Sequence, residues 1–237
     1  MPEASAAFVL ITRPEPGASD TAARVASLGF VPLLTPVMRI HPTPSSLPAA
    51  ASLAAVLVTS GNAVDALPQA YRATPLFSVG DATAERARAA GFTQVLSAAG
   101  DAEALADLVI RQQSPRHGTL LLASGHGQGG TLATTLRQAG FRVARRVVYT
   151  AVPTRELAPA ATAALRAGSV RAALFFSAET ARQFVRLAQR GELGATLANV
   201  AAVSIGRSAA VALEALPWRD IRVATRPTQD EMLALLR

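Results

Sequence analysis

The chain contains no cysteine and no lysine, and it is poor in side chains that carry chemistry unaided, with three histidines, two tyrosines and one tryptophan. Without cysteine there is no disulfide, no thiolate metal site and no cysteine nucleophile, and a reducing cytoplasm is the expected setting. His41, His117 and His126 lie in three separate segments with no metal-ligand spacing, and no G-x-S-x-G elbow frames a serine. Neither a metal site nor a serine hydrolase is therefore expected. Aromatics make up 5% of the residues, and the densest basic cluster, Arg142, Arg145 and Arg146, has no stacking aromatics interleaved, which argues against a nucleic-acid surface. Apolar runs such as Leu53 to Val58 end after about six residues, where a membrane helix needs roughly 20. The start of the chain offers Glu3 and no arginine before Arg13, so no basic leader region is expected.

What is present is a core. The 237 residues are 50% hydrophobic, which excludes a disordered chain, and Gly 16 with Pro 15 excludes a low-complexity one. That length fits one large or two small domains. All 23 basic residues are arginine and the net charge is +7. GC-rich codon usage accounts for the arginine and alanine excess, because the arginines are scattered. The functional bias of such a composition is toward a small anionic partner, since a guanidinium clamps carboxylate or phosphate through paired hydrogen bonds.

The chain repeats itself. FVLITRPEPGASDTAARVASLGFVPLLTP (8–36) aligns without a gap on TLLLASGHGQGGTLATTLRQAGFRVARRV (119–147), so that Gly29-Phe30 falls on Gly140-Phe141. Each copy predicts a strand, a Gly/Pro loop, a helix (Thr21 to Leu28, Thr131 to Ala139) capped by glycine, and a second strand. A second unit also occurs twice: 59–67 matches 176–184, 78–91 matches 204–217, and 95–109 matches 223–237. There an apolar run meets a Ser/Thr/Gly turn and then a helix of about ten residues, the alternation of a parallel sheet covered on both faces. The chain thus runs A, B, A, B, interrupted by proline-rich connectors at Leu33 to Pro48 and Arg145 to Pro153. Two similar doubly wound domains are expected, and pattern alone leaves open which A joins which B.

In such sheets, ligands sit at the carboxyl ends of the strands, where helix N-termini collect anions. The strand-end turns hold Thr12 and Arg13; Thr59, Ser60 and Asn62; Gly80 and Thr83; Ser124 and Gly125; Ser177; Gly206, Arg207 and Ser208; and Thr228. Any one of these is an ordinary N-cap. Together, on one edge of two repeated domains, they describe an anion- or amide-binding cleft. The segment 125–130 is also a literal G-x-G-x-x-G between a strand and a helix, the context of a dinucleotide fingerprint. No acid follows before Glu156, and the matching copy TRPEPGAS keeps none of these glycines. An NADP-binding oxidoreductase and a non-catalytic anion receptor are the rival functions. Strand-end acids are few (Glu15, Asp81 and Glu179), which leaves Tyr149, on a connector where tyrosines usually pack, as a candidate.

The ordered set T-R-P (12–14), G-F then P-V-M-R-I (29–40), T-S-x-N-A-V (59–64), V-G-x-x-T-A (79–84), V-V-Y (147–149), F-S (176–177), I-G (205–206) and P-T (227–228) resembles uroporphyrinogen-III synthase along essentially the whole chain. The resemblance implies two flavodoxin-like domains, 1–36 with 154–237 and 42–146, joined by linker strands 37–41 and 147–153. It implies a cofactor-free monomeric enzyme that binds neither nucleic acid nor membrane. Its substrate would be hydroxymethylbilane, a linear polycarboxylate tetrapyrrole received from hydroxymethylbilane synthase. Water would be lost and the ring closed to uroporphyrinogen III with ring D inverted, through a spiro-pyrrolenine. The strand-end residues would bind acetate and propionate arms, and Tyr149, a phenol ordinarily protonated at neutral pH, would be the proton donor. Three positions depart from the pattern: Ala209 replaces a threonine with Ser208 beside it, Ser124 stands where relatives carry arginine, and Asn62 varies.

Overall fold

The computed structural model describes residues 7–237; Glu3 and the first six residues of the expected 1–36 segment lie outside the described residues. The chain through Arg39, with Val152–Arg237, forms one compact unit, and Ile40–Ala151 forms another. In chain order the elements begin β1 Phe8–Ile11, α1 Gly17–Ser27, β2 Val31–Leu34 and β3 Met38–Pro42. Next come β4 Leu53–Val58, α2 Gly61–Val64, β5 Leu76–Ser78, α3 Asp81–Ala89, β6 Val95–Ser97, α4 Ala102–Gln112, β7 Thr119–Gly125 and α5 Gly130–Gln138. The long strand β8 Arg142–Pro153 leads to α6 Pro159–Arg166, β9 Val170–Phe175, α7 Ala178–Arg190, β10 Ala201–Ser204, α8 Arg207–Leu213, β11 Asp220–Val223 and α9 Gln229–Ala234.

In the first unit the strands lie in the order β11-β10-β9-β1-β2, all parallel. In the other sheet the order is β3-β8-β7-β4-β5-β6. Labelled by repeat, and with β3 set aside as an extra edge strand of the second sheet, both sheets have the same spatial order: the two strands of unit A at one side, then the three of unit B. The register repeats as well. Phe8 pairs with Val31 and Thr119 with Arg142, partners at the same spacing. Gly29 and Gly140, with φ of 84° and 89°, end the first helix of each copy in the left-handed conformation that the alignment predicts.

Parallel strands covered on both faces must be apolar at every position, and β4 and β7 show it. Ala55, Leu57, Leu120 and Leu122 pack into one core with Leu105, Val109 and Leu136, while Val56, Val58, Leu121 and Ala123 pack into another with Val64, Tyr71 and Val148. Each fully buried Leu contributes about 1.5–3 kcal/mol relative to an exposed one. Tyr71 keeps its hydroxyl satisfied in this core by donating to Pro48 O at 2.6 Å, and burial raises its phenol above the ordinary value. In the first unit Val9, Ile11, Leu174 and Val203 face Val25 and Met232. Phe175 meets Phe184 and Trp218 edge-on, and Phe184 and Trp218 are tilted against each other, with all three centroids 5.2–5.6 Å apart.

Four details differ from expectation. The helix expected after Thr59 is a single turn, Gly61–Val64, because the chain breaks at Pro68. The stretch Leu33 to Pro48 contains the end of β2 and all of β3, and Arg145 to Pro153 is the continuation of β8 rather than a separate connector. That strand pairs in parallel with β7, then runs against β3, with Thr43 N donating to Val148 O and Thr154 N to Val37 O, both 2.9 Å. Finally, Leu76 pairs with Val95 and Ala202 with Ile221, so β6 matches β11 two residues away from the sequence alignment of 95 on 223.

Candidate functional site

In each parallel sheet the expected residues gather at the carboxyl ends of the strands. In the first unit, Ser177 caps α7 by accepting from Thr180 N at 3.1 Å, Gly206 precedes α8, and Thr228 caps α9 by accepting from Glu231 N at 3.3 Å. Arg207 and Ser208 are exposed on the first turn of α8. Arg13, just beyond β1, donates from Nη1 to Gln229 Oε1 at 3.2 Å and to Thr21 Oγ1 at 3.4 Å. Its guanidinium carbon sits 4.3 Å from the centre of the Phe176 ring, in reach of a cation–π attraction. A side chain at Gly17 would start 2.4 Å from that guanidinium, so the absent Cβ is what lets the arginine lie there. Helix N-termini and a positioned guanidinium favour carboxylates.

The second unit has the same edge with a tyrosine added. Ser60 caps α2, accepting from Asn62 N at 3.3 Å, with Thr59 half-buried beside it. Gly80 precedes α3, its carbonyl accepting from Thr83 N at 3.1 Å, and Thr83 is half-buried. Between Ser124 and Gly125 the pairing of β7 with β8 slips by one residue, so Gly125 lies opposite Tyr149. Such a bulge re-aims the side chain that follows it. Tyr149 is 3% exposed, and its hydroxyl donates to Gln128 Oε1 at 3.1 Å. A Cβ on Gly125 would stand 2.7 Å from the Tyr149 ring, and His126 N donates to Tyr149 O at 2.9 Å.

Two candidates turn inward. Thr12 is wholly buried and donates to Leu174 O at 2.6 Å, and Ser124 is wholly buried and donates to Gln128 O at 3.2 Å. Both hydroxyls close backbone carbonyls, of β9 and of the 125–130 loop, and neither offers a surface to a ligand. The glycine-rich loop also differs from a dinucleotide cradle. Two of its amides, His126 and Gln128, are used on Tyr149 O and Gly125 O, and the absent Gly125 side chain makes room for a ring. Residues missed from sequence are Gln128, Phe176 and Gln229. Phe176 had a visible signal, as an aromatic directly ahead of the Ser177 cap. Gln128 and Gln229 had none, since both interactions join segments far apart or across a turn.

The profile of the uroporphyrinogen-III synthase HemD family matches residues 19–234. The chain belongs to the uroporphyrinogen-III synthase family. Two crystal structures share its fold. Uroporphyrinogen-III synthetase from Helicobacter pylori 26695 is 18% identical with a TM-score of 0.62, covering 97% of each chain. A mutant uroporphyrinogen III synthase from the extremely thermophilic bacterium Thermus thermophilus is 22% identical with a TM-score of 0.54, covering 97% of this chain and 96% of that one. No curated protein sequence matches the chain. Membership makes the chain a cyclising lyase of tetrapyrrole biosynthesis with parallel-sheet α/β architecture. The departures from the synthase pattern can now be placed. Ala209 is wholly buried in α8, at the position matching Thr83 of the other copy, so the first unit has no hydroxyl there. Ser208 is exposed one residue earlier on the same helix, a different direction around its axis.

Proposed function

We propose that this synthase closes hydroxymethylbilane to uroporphyrinogen III with inversion of ring D, using positioning as its main resource. The observation that carries the reading is the family match over residues 19–234. Loss of the terminal hydroxyl generates an azafulvenium cation, which can also close without help to the uninverted isomer. The protein's task is to choose which ring-D carbon attacks, and that is an effect of orientation. Backbone N–H groups and hydroxyls at Thr59, Ser60, Asn62, Gly80, Thr83, Ser177, Gly206, Ser208 and Thr228 bind the carboxylate arms, and Arg13 and Arg207 add charge. Tyr149 protonates the departing hydroxyl so that it leaves as water. The enzyme works as a cytoplasmic monomer supplied by hydroxymethylbilane synthase, a setting supported by the absence of cysteine. Among the described residues no helix is long and apolar enough to cross a membrane.

The test couples purified protein to a source of fresh hydroxymethylbilane, followed by oxidation and separation of porphyrin isomers. Isomer III above the enzyme-free control is the expected result. Tyr149→Phe should lower kcat on the order of 10²-fold, the lower end of general-acid effects because the hydroxyl also departs without acid assistance. Isomer I alone from folded protein overturns the catalytic reading.

A further inference from the structure

The loop 125–130 is the one conspicuous motif that the family pattern does not use. Its glycines have no counterpart in the other copy, where the gapless alignment puts Pro14 on Gly125, Gly17 on Gln128 and Met38 on Tyr149. The difference follows the side chain opposite. Where β8 presents a tyrosine ring, residue 125 lacks a side chain, the chain turns through left-handed Gly127 and Gly129 (φ 74° and 77°), and Gln128 is brought back over the hydroxyl. Gln128 is itself fixed from behind. Its carbonyl accepts from Ser124 Oγ at 3.2 Å and from Arg145 Nη1 at 2.6 Å, and its N–H donates to Gly125 O at 3.1 Å. A buried strand residue, a strand arginine and a turn hydrogen bond all serve to place one carboxamide. Gln128 as a residue is half-buried, whereas Tyr149 is 3% exposed.

We infer that Gln128 is a positioning residue for Tyr149: its carboxamide oxygen holds the phenol O–H at the strand edge and is displaced when the substrate's leaving hydroxyl takes its place. The inference rests on the reading of Tyr149 as the proton donor. A neutral amide suits the task. It accepts one hydrogen bond without the full charge of a carboxylate, so the leaving hydroxyl can compete for the same proton. Ser124, at a position where relatives carry arginine, then has a definite job, since its hydroxyl pins the Gln128 backbone.

The experiment is a double-mutant cycle on the full chain, read by kcat and KM for isomer III formation. Gln128→Leu keeps the shape and removes the acceptor, and Gln128→Glu restores an acceptor. Gln128→Leu should lower kcat about tenfold with KM changed less than about twofold, Gln128→Glu should recover part of that loss, and Gln128→Leu should do nothing further in a Tyr149→Phe background. Equal losses for Gln128→Leu in both backgrounds, or no loss in either, overturn the Gln128 inference while leaving Tyr149 as donor. Unchanged kcat in Tyr149→Phe alone overturns both together. Circular dichroism and denaturant midpoints of each variant separate misfolding from these outcomes, and a Gln128→Leu midpoint equal to that of the parent with normal kcat also sinks the inference.

Discussion

At the scale of the residue, the deciding question for every hydroxyl at a strand end is whether it points out of the sheet or into it. Thr12 and Ser60 both lie within two residues of a strand end, yet Thr12 is buried on Leu174 O while Ser60 caps a helix at the edge. A buried hydroxyl bonded to a backbone carbonyl contributes about 1 kcal/mol, and an unpaired carbonyl left behind costs somewhat more. Thr12→Val should therefore lower stability by about 1–2 kcal/mol with KM unchanged, and Thr12→Ser should restore most of it. Denaturant unfolding beside the isomer assay checks this, and a raised KM at unaltered stability would return Thr12 to the substrate site. Residue type and spacing made Tyr149, Gly125 and Arg13 visible as separate candidates. That Gly125 exists for the Tyr149 ring, or that Phe176 lies under Arg13, was beyond reach, because both contacts depend on a bulge or a long-range pairing that leaves no periodic trace.

At the scale of the element, the sequence was most legible where a local rule fixes the backbone. Glycine ends the first helix of each A copy, and Ser60, Asp101, Ser177 and Thr228 each cap the helix that follows them. It was least legible in the third segment of the B repeat. The turn from β11 to the Thr228 cap is one residue longer than the turn from β6 to the Asp101 cap, and the gapless alignment also sets Asp101 on Gln229 rather than on Thr228, so the strand is misplaced by two. A two-residue slip returns every side chain to its own face, and the hydrophobic pattern cannot reveal it. The helix α9 itself is short and depends on its start. Besides the cap, it is tied to α1 through Gln229 with Arg13 and Thr21, and through Asp230 with Arg24, an exposed ion pair that contributes little. Loss of the cap should therefore be felt locally. Thr228→Ala should destabilise α9 by about 1 kcal/mol. The expected signature is faster hydrogen exchange at the Glu231 amide, with the α7 amides unchanged. Exchange that rises equally across the whole first unit would show that α9 is no independent local element.

At the scale of the whole molecule, the repeated pattern announced two α/β sheets but left two ways to thread them. The sheet order resolves the threading. The first A copy lies beside β9, β10 and β11, at the far end of the chain, while β4, β5 and β6 lie beside the second A copy. Periodicity could not supply this, because it records what each strand buries and not which strand is its neighbour. Charge is the other property that belongs to the chain as a whole. All 23 basic residues are arginine, and whatever the origin of that bias the net charge of +7 would act on a polycarboxylate ligand. If that field helps collect the substrate, screening should weaken capture and leave the chemical step alone. Raising salt from about 0.01 M to about 1 M shortens the Debye length from about 30 Å to about 3 Å. KM for hydroxymethylbilane should then rise roughly tenfold while kcat stays within about twofold, since the direct hydrogen bonds proposed above from helix N-termini and Arg13 would be screened far less than the distant arginines. A KM that ignores salt would confine recognition to the strand-end contacts and leave the arginine excess as composition alone. A kcat that falls with salt would instead place a screened charge in the step where the hydroxyl departs.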